Sequence, residues 1–102
     1  MNGKSKLSGK RVVSKVAPRV VHCKRDVYDL YIGRPSKWGN PFVIGRDGTR
    51  EDVIEKFRKI QLPKLRPSLH ELGGKVLGCW CKPWACHGDV LIDAYKAAYP
   101  EK

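Results

Sequence analysis

Residues 77–90 read LGCWCKPWACHGDV and hold three of the four cysteines, two of the three tryptophans and one of the three histidines. Side chains two positions apart on an extended strand share a face, so Cys79 and Cys81 are predicted to point the same way and Trp80 the opposite way. A turn after Cys81 then brings Cys86 and His87 back towards the two thiols. The chemistry of this protein is therefore expected in this stretch.

The segments around this stretch predict the fold. Residues 75–81 form the clearest interior strand, and a helix begins at His87 with apolar residues at helical spacing behind it. Earlier in the chain, two short β-branched runs at residues 19–25 and 28–32 predict further strands.

A second helix is predicted between these strands, over residues 50–62. Thr49 and Asp52 have the spacing of a capping box that opens it, and Pro63 is expected to end it. The order strand, strand, loop, helix, turn, strand, helix is typical of an α/β domain. We therefore predict a single small α/β domain, with a central sheet of about three to four strands flanked by two to three helices.

The positive charge is concentrated at the start of the chain. The sequence carries 21 Lys and Arg against 10 Asp and Glu, a formal net charge of +11, and its first 25 residues contain eight basic side chains and no acid. This composition is typical of a mobile arm that adds sequence-independent affinity for phosphates. We predict a flexible basic arm at residues 1–18 and the α/β domain at residues 19–102. A solubilising leader explains the same charge, since charge alone identifies no partner.

Membrane and secretory segments are not expected. No apolar run approaches the roughly 18 to 20 residues that a membrane-spanning helix needs, and no apolar segment of about 7 to 15 residues follows the basic start. We expect a cytoplasmic protein, of a bacterium or of a host cell if a phage encodes it, with no membrane partner. In that compartment the four cysteines are expected as thiols or metal ligands rather than disulfides.

Residues 33–42, GRPSKWGNPF, form a second candidate ligand-binding segment. They lack periodicity and are rich in Gly, Pro and Asn, which predicts an irregular loop with fixed turns. A loop directly after a strand is where α/β proteins commonly hold ligand groups. Alternatively, the loop is a plain surface crossover with its tryptophan buried beneath it. In the ligand-binding interpretation the contributing residues are Arg34, Ser36, Lys37, Trp38, Gly39 and Asn40.

The cysteine-rich stretch has three interpretations, of which the first is a zinc site. Zinc favours four sulfur and nitrogen ligands in a tetrahedron. The spacing is unusual, because structural zinc sites commonly use C-x2-C pairs from two separate places. The candidate ligands are Cys79, Cys81, Cys86 and His87.

The second interpretation is a catalytic or ligand-binding pocket at the start of the last helix, where free amides and the helix dipole attract anions and lower a thiol's pKa. Cys86 is then the nucleophile, His87 the base and Asp89 the group that orients the imidazole. Trp84 is a candidate for stacking on a base of the ligand. In the third interpretation the cysteines are small buried hydrophobic residues and His87 caps the helix.

Two blocks carry a resemblance to a known family: YIGRPSKWGNPF at residues 31–42 and GKVLGCWCKPWACHGDVL at residues 74–91. Over residues 19–98 the chain resembles a domain-of-unknown-function family of phages and bacteria. The resemblance transfers no activity. It implies a phage or bacterial cytosolic setting, and it implies that the loop and the cysteine-rich stretch belong to one site.

Two functions are compatible with the sequence. The first is binding of a phosphate-bearing ligand, a nucleotide or nucleic acid, in a pocket between residues 33–42 and 81–89, with Arg34 and Lys37 on the phosphates; whether a reaction follows stays open. The second is a zinc-stabilised, non-enzymatic adaptor, whose basic arm binds nucleic acid or a host protein.

Overall fold

The central sheet has three parallel strands, in the order β1-β3-β2. The computed structural model describes residues 16–82 and 84–100. Val20 and Leu30 both lie opposite Leu77, so the strand that leads into the cysteine-rich stretch is the interior one, as predicted. The strands are β1 (Arg19–His22), β2 (Leu30–Tyr31) and β3 (Val76–Cys79).

Helices fill the crossover from β2 to β3, and one more follows β3. The helical elements are α1 (Arg50–Lys56), a π-helical turn (Phe57–Gln61), α2 (Leu62–Leu65), a 3-10 helix (Arg66–Leu72) and α3 (His87–Ala98). Helix α3 packs against β1, the π-helical turn and the 3-10 helix. The predicted α/β class, with a small sheet flanked by helices, is confirmed.

The start of α1 confirms the predicted capping box. Thr49 Oγ1 accepts a hydrogen bond from the Asp52 amide at 3.2 Å, and Asp52 Oδ2 accepts one from the Thr49 amide at 2.9 Å. Two backbone donors of the first turn are thereby satisfied. This cap fixes where α1 begins and so positions Arg50 at its first residue.

The prediction that Pro63 ends this helix is wrong. The helical run continues to Leu72, because the chain widens into a π-helical turn in which the Leu62 amide donates to the Phe57 carbonyl. Pro63 then lies in the first turn of α2, a position in which proline is tolerated.

The core lies between the sheet and the helical elements. The predicted apolar face of α3 is confirmed at Leu91 and Tyr95, which are both buried. None of the helices within residues 16–82 and 84–100 is long and apolar enough to cross a membrane. The largest contributors to the core are Ile32, Trp38, Phe57, Leu62, Leu69, Leu72, Leu77, Leu91 and Tyr95.

The predicted basic arm is described only at its end. Residues 1–15 lie outside the described part of the chain. Residues 16–18 contact the domain: the Gly74 amide donates to the Val16 carbonyl at 2.7 Å, and Pro18 is buried.

Two glycines allow the close packing that positions the cysteine-rich stretch. A Cβ at Gly78 would fall 2.6 Å from Cγ of Tyr28, so the Tyr28 ring lies directly against β3. A Cβ at Gly88 would fall 2.8 Å from Val20 and 2.9 Å from Ile32. Side chains at these positions would push α3 and Tyr28 away from the sheet.

Candidate functional site: three thiols at the floor of a cleft

Three cysteine side chains meet where β3 ends and α3 begins. The ligand atoms of Cys79, Cys81 and Cys86 all lie within 4.8 Å of one another. Cys79 and Cys86 are each 2% exposed, and Cys81 is half-buried. All three are free thiols. The three cysteine side chains therefore converge, as predicted.

The chain returns to the strand through a tight turn. Cys79 and Cys81 are two residues apart at the strand's end, so they reach the same side of the chain. The Trp84 amide donates to the Cys81 carbonyl at 2.7 Å, which closes the turn. Cys86 then adopts extended backbone angles as the residue that caps α3.

The cap of α3 orients the Cys86 thiol. Its Sγ accepts a hydrogen bond from the Gly88 amide at 3.3 Å, and the Cys86 amide donates to Asp89 Oδ2 at 3.1 Å. Lys82 Nζ lies 2.7 Å from Asp89 Oδ1 and ties the turn to the helix. Burial opposes the charge of Lys82, but the hydrogen bond to Asp89 raises its pKa overall.

Hydrogen bonding among the three thiols shifts their pKa values in different directions. Bonds from Cys79, from Cys86 and then from Arg50 lower the pKa of Cys81 to about 2. The bond to Cys81 raises the pKa of Cys79, and the bonds to Cys79 and Cys81 raise that of Cys86. These shifts favour deprotonation of Cys81 over that of its two neighbours.

The His87 ring is positioned by Ile32 and Phe57. Its Nε2 lies 2.8 Å from the Ile32 carbonyl, and its ring edge contacts Phe57 at a centroid distance of 5.1 Å. Burial lowers the pKa of His87, so the ring is neutral and Nε2–H is the donor to the carbonyl. Among the described residues, the group of ligand atoms that converges contains the three thiols only.

The side chains of the predicted catalytic trio are not joined to one another by hydrogen bonds in the described part of the chain. Cys86 bonds to its neighbouring thiols, His87 to Ile32, and Asp89 to Lys82 and the Cys86 amide. Asp89 therefore orients the helix start rather than the imidazole. The lowered pKa belongs to Cys81, which the sequence did not single out as a nucleophile.

The thiols form the floor of a cleft of about 420 Å³. One wall comes from residues 31–44 and the other from residues 79–87, as predicted, while the start of α1 closes a third side. No Asp or Glu is among the described residues that line it. Its polar and charged lining comprises Tyr31, Arg34, Asn40, Arg50 and His87.

Arg34 and Asn40 are the predicted loop residues that line the cleft. Asn40 also holds the loop in shape, because its Nδ2 donates to the Val53 carbonyl at 3.0 Å and its Oδ1 accepts from the Phe42 amide at 2.9 Å. Arg34 makes no ion pair with any carboxylate of the described residues. Its guanidinium is therefore available to a ligand.

The other predicted loop residues serve the fold. Trp38 is 2% exposed and belongs to the core, so its ring offers no free face. Lys37 pairs with Glu71 at 3.0 Å and lies over the Trp38 ring. Ser36 Oγ is buried without a described partner, and a Cβ at Gly39 would lie 3.1 Å from the Arg34 backbone.

Two cleft residues escaped sequence reasoning. Arg50 is the first residue of α1, and its Nη1 donates to the Ala85 carbonyl at 3.0 Å, which connects α1 to the cysteine-rich stretch. Trp80 lines the cleft at 54% exposure, with Nε1 donating to Tyr31 Oη at 2.8 Å. Trp84, the predicted stacking residue, is 65% exposed and lies outside the cleft lining. The signal for Trp80 that was available in the sequence is its position between two cysteines.

Sequence comparison assigns this domain to a family. Residues 19–97 match the family described as "Domain of unknown function (DUF4326)", and the chain belongs to that family. Both walls of the cleft lie within the matched residues. The predicted membership of a phage-associated family of unknown function is confirmed.

Two viral relatives are similar over most of their length. "Uncharacterized protein R718" of Acanthamoeba polyphaga mimivirus is 38% identical over 105 residues, which cover 78% of this chain and 81% of the relative. "Uncharacterized 12.4 kDa protein in nrdA-td intergenic region" of Enterobacteria phage T4 is 39% identical over 80 residues, 72% of each chain. No solved structure matches the chain.

Proposed function

We propose that the cleft binds a phosphate-bearing ligand, either a nucleotide or a nucleotide unit of a nucleic acid. The observation that carries this proposal is the charge of the cleft: two arginines and no described acid line a space of about 420 Å³. That volume is within the range of about 300–1,000 Å³ typical of small-molecule sites.

The arginines are the phosphate contacts. A guanidinium offers two parallel N–H donors that match two phosphate oxygens. Arg34 has no described carboxylate partner, and Arg50 uses Nη1 on the Ala85 carbonyl. The first-turn amides of α3 are not the anion site, because Cys86 and Asp89 already occupy that helix start.

The aromatic residues of the cleft are the base contacts. Tyr31, Phe42 and Trp80 line the same space as the arginines. Base stacking on an aromatic ring contributes about 1–3 kcal/mol and tolerates every base, because each base has a π-face. Trp80 is the strongest candidate, since its hydrogen bond to Tyr31 holds the indole in place while 54% of the residue stays exposed.

The test is calorimetric titration of the full chain with AMP and with adenosine, which lacks the phosphate. AMP is expected to bind and adenosine to bind at least tenfold more weakly, because a hydrogen bond to a charged group contributes about 1.5–3 kcal/mol. Arg34→Gln is expected to remove this preference. The matched control is Arg58→Gln, because the native Arg58 pairs with Glu55 on the surface. Equal affinity for AMP and adenosine, or no binding of either, contradicts the proposal.

A second candidate function is zinc binding by Cys79, Cys81 and Cys86, in a protein that acts as a non-enzymatic adaptor for nucleic acid or a host protein. The convergence of three sulfurs within 4.8 Å supports it. A structural zinc contributes directly to folding, so removal by a chelator is expected to lower the melting temperature. The metal content of the purified protein and its melting temperature with and without chelator are the measurements. Cys23→Ser is the control, because it keeps the three thiols. An unchanged melting temperature after chelation contradicts a stabilising metal.

A further inference from the structure

We infer that a zinc ion held by Cys79, Cys81 and Cys86 keeps its fourth coordination position open to the cleft, where it takes water or an anionic oxygen donor. This inference rests on the proposed zinc site. It goes further, because a fully protein-ligated zinc only holds a fold, whereas an open position lets the ion contact a ligand.

The sulfur geometry fits three ligands of a tetrahedron. Zinc–sulfur bonds of about 2.3 Å at tetrahedral angles separate the sulfurs by about 3.8 Å. The three thiols already lie within 4.8 Å of one another. A shift of about 1 Å or less between sulfurs therefore completes the set.

The residue expected as the fourth ligand, His87, does not join the converging atoms, since neither of its ring nitrogens belongs to the group within 4.8 Å. His87 donates from Nε2 to the Ile32 carbonyl and packs edge-on against Phe57. Ligation through Nε2 would leave the buried Ile32 carbonyl without its hydrogen bond. Asp89 is used by Lys82 and by the Cys86 amide.

No other side chain of the described residues completes the site. The converging group contains three thiols and no histidine, aspartate or glutamate. His22 accepts a hydrogen bond at Nδ1 from the Lys24 amide at 3.0 Å. Outside the described residues, the sequence contains no Cys, His or Asp and one Glu, Glu101.

The remaining position points to the cleft, because all three thiols line it. Three thiolates and one Zn²⁺ leave one net negative charge, which the nearby Arg50 and Arg34 offset. The Gly88 amide at 3.3 Å from Cys86 Sγ supplies the outer hydrogen bond that such a thiolate ligand needs. A water molecule or a phosphate oxygen that enters the cleft is then the fourth ligand.

The test uses cobalt as the metal and cyanide and inorganic phosphate as probes. The full chain loaded with one equivalent of Co²⁺ is titrated with each probe, and its visible absorption is recorded. An open position predicts that cyanide shifts the cobalt bands in the wild type and in Cys23→Ser. X-ray absorption of the zinc form is expected to give three sulfurs and one oxygen.

Two results overturn the inference. The first is a cobalt spectrum that cyanide leaves unchanged in the wild type but shifts in His87→Gln, because His87 is then the fourth ligand. The second is a signal of an imidazole or of a fourth sulfur in the X-ray absorption spectrum of the zinc form. This measurement uses the wild type alone, so it remains decisive if His87→Gln does not fold. Neither probe depends on nucleotide binding, so failure of AMP to bind leaves this result unaffected. Failure to bind Co²⁺ or Zn²⁺ overturns both the metal site and this inference.

Discussion

Asp89 reaches back to Cys86: its Oδ2 accepts the hydrogen bond of the Cys86 amide at 3.1 Å, while the Cys86 thiol accepts that of the Gly88 amide at 3.3 Å. Cys86 thus caps α3 and also contributes a sulfur to the thiol cluster. Serine, threonine, aspartate or asparagine usually fills this position, so a cysteine here joins the start of the helix to the thiol site.

Loss of Asp89 is expected to weaken metal binding without removing a ligand. Asp89→Ala abolishes the bonds to Cys86 and Lys82, and removal of groups that orient ligands typically costs about 10- to 100-fold in metal affinity. Zinc competition against a chromophoric chelator measures the effect. Asp93→Ala, at an exposed position of the same helix, is the control. Equal zinc affinities for the two variants contradict the role of the cap.

Trp80 and Trp84 are expected to differ in ligand binding. Trp80 lines the cleft and Trp84 does not, although Trp84 is the more exposed of the two. Trp80→Ala should weaken AMP binding by about 5- to 150-fold, the equivalent of about 1–3 kcal/mol of lost stacking, and Trp84→Ala should leave it unchanged. Calorimetry on both variants decides, and a larger loss for Trp84→Ala places the base outside the cleft.

The contact between Gly78 and Tyr28 is expected to appear in a double-mutant cycle. A Cβ at Gly78 lies 2.6 Å from Tyr28 Cγ, so Gly78→Ala should destabilise the domain by about 1–3 kcal/mol through overpacking. In a Tyr28→Ala background the same change has room and should cost far less. Urea unfolding of the four proteins gives the coupling, and additive losses would show that Gly78 is needed for another reason.

The capping box of α1 is expected to make the stability of the domain depend on pH. Hydrogen bonds from the Thr49 amide and hydroxyl lower the pKa of Asp52 below its ordinary 3.8. The folded pKa lies below the unfolded one, so the contribution is present at neutral pH and is lost as the pH falls through the folded pKa. Asp52→Asn should therefore be less stable than the wild type at pH 7 and should match it near pH 2.

The hydroxyl side of the same cap provides a matched pair of variants. Thr49→Ala is expected to destabilise the domain by about 1 kcal/mol, and Thr49→Ser to retain most of its stability. Thermal unfolding at pH 7 measures both. A Thr49→Ser loss equal to that of Thr49→Ala would show that the methyl group, rather than the hydroxyl, matters.

The basic arm is expected to act through charge alone. Residues 1–15 contain five Lys and Arg and no acid. Their deletion should weaken binding to a poly-dT oligonucleotide and reduce the slope of log affinity against log salt by up to about 3.5, since each phosphate contact on a single strand contributes about 0.7. Residues 16–18 are kept because Val16 and Pro18 contact the domain. An unchanged salt slope contradicts a phosphate-binding arm.

Local patterns in the sequence predicted most of the elements. The spacing of Thr49 and Asp52 located the start of α1, and the two-residue spacing of Cys79 and Cys81 placed their thiols together. The end of α1 was mispredicted, because the π-helical turn before Pro63 is a backbone adjustment with no short sequence signature. Boundaries of this kind depend on how the next helix packs.

The cysteine-rich stretch shows most clearly which features follow from the sequence and which follow from the tertiary structure. The sequence by itself determined that three thiols meet at a strand-to-helix junction beside a loop and that the chain is strongly basic, because these follow from spacing, turns and composition. Only the tertiary structure decided that His87 turns to Ile32, that Trp38 enters the core, and that Arg50 and Trp80 line the cleft. The physical reason is distance along the chain: a side chain's direction is set by burial and by partners such as Ile32, 55 residues from His87, which no local pattern contains.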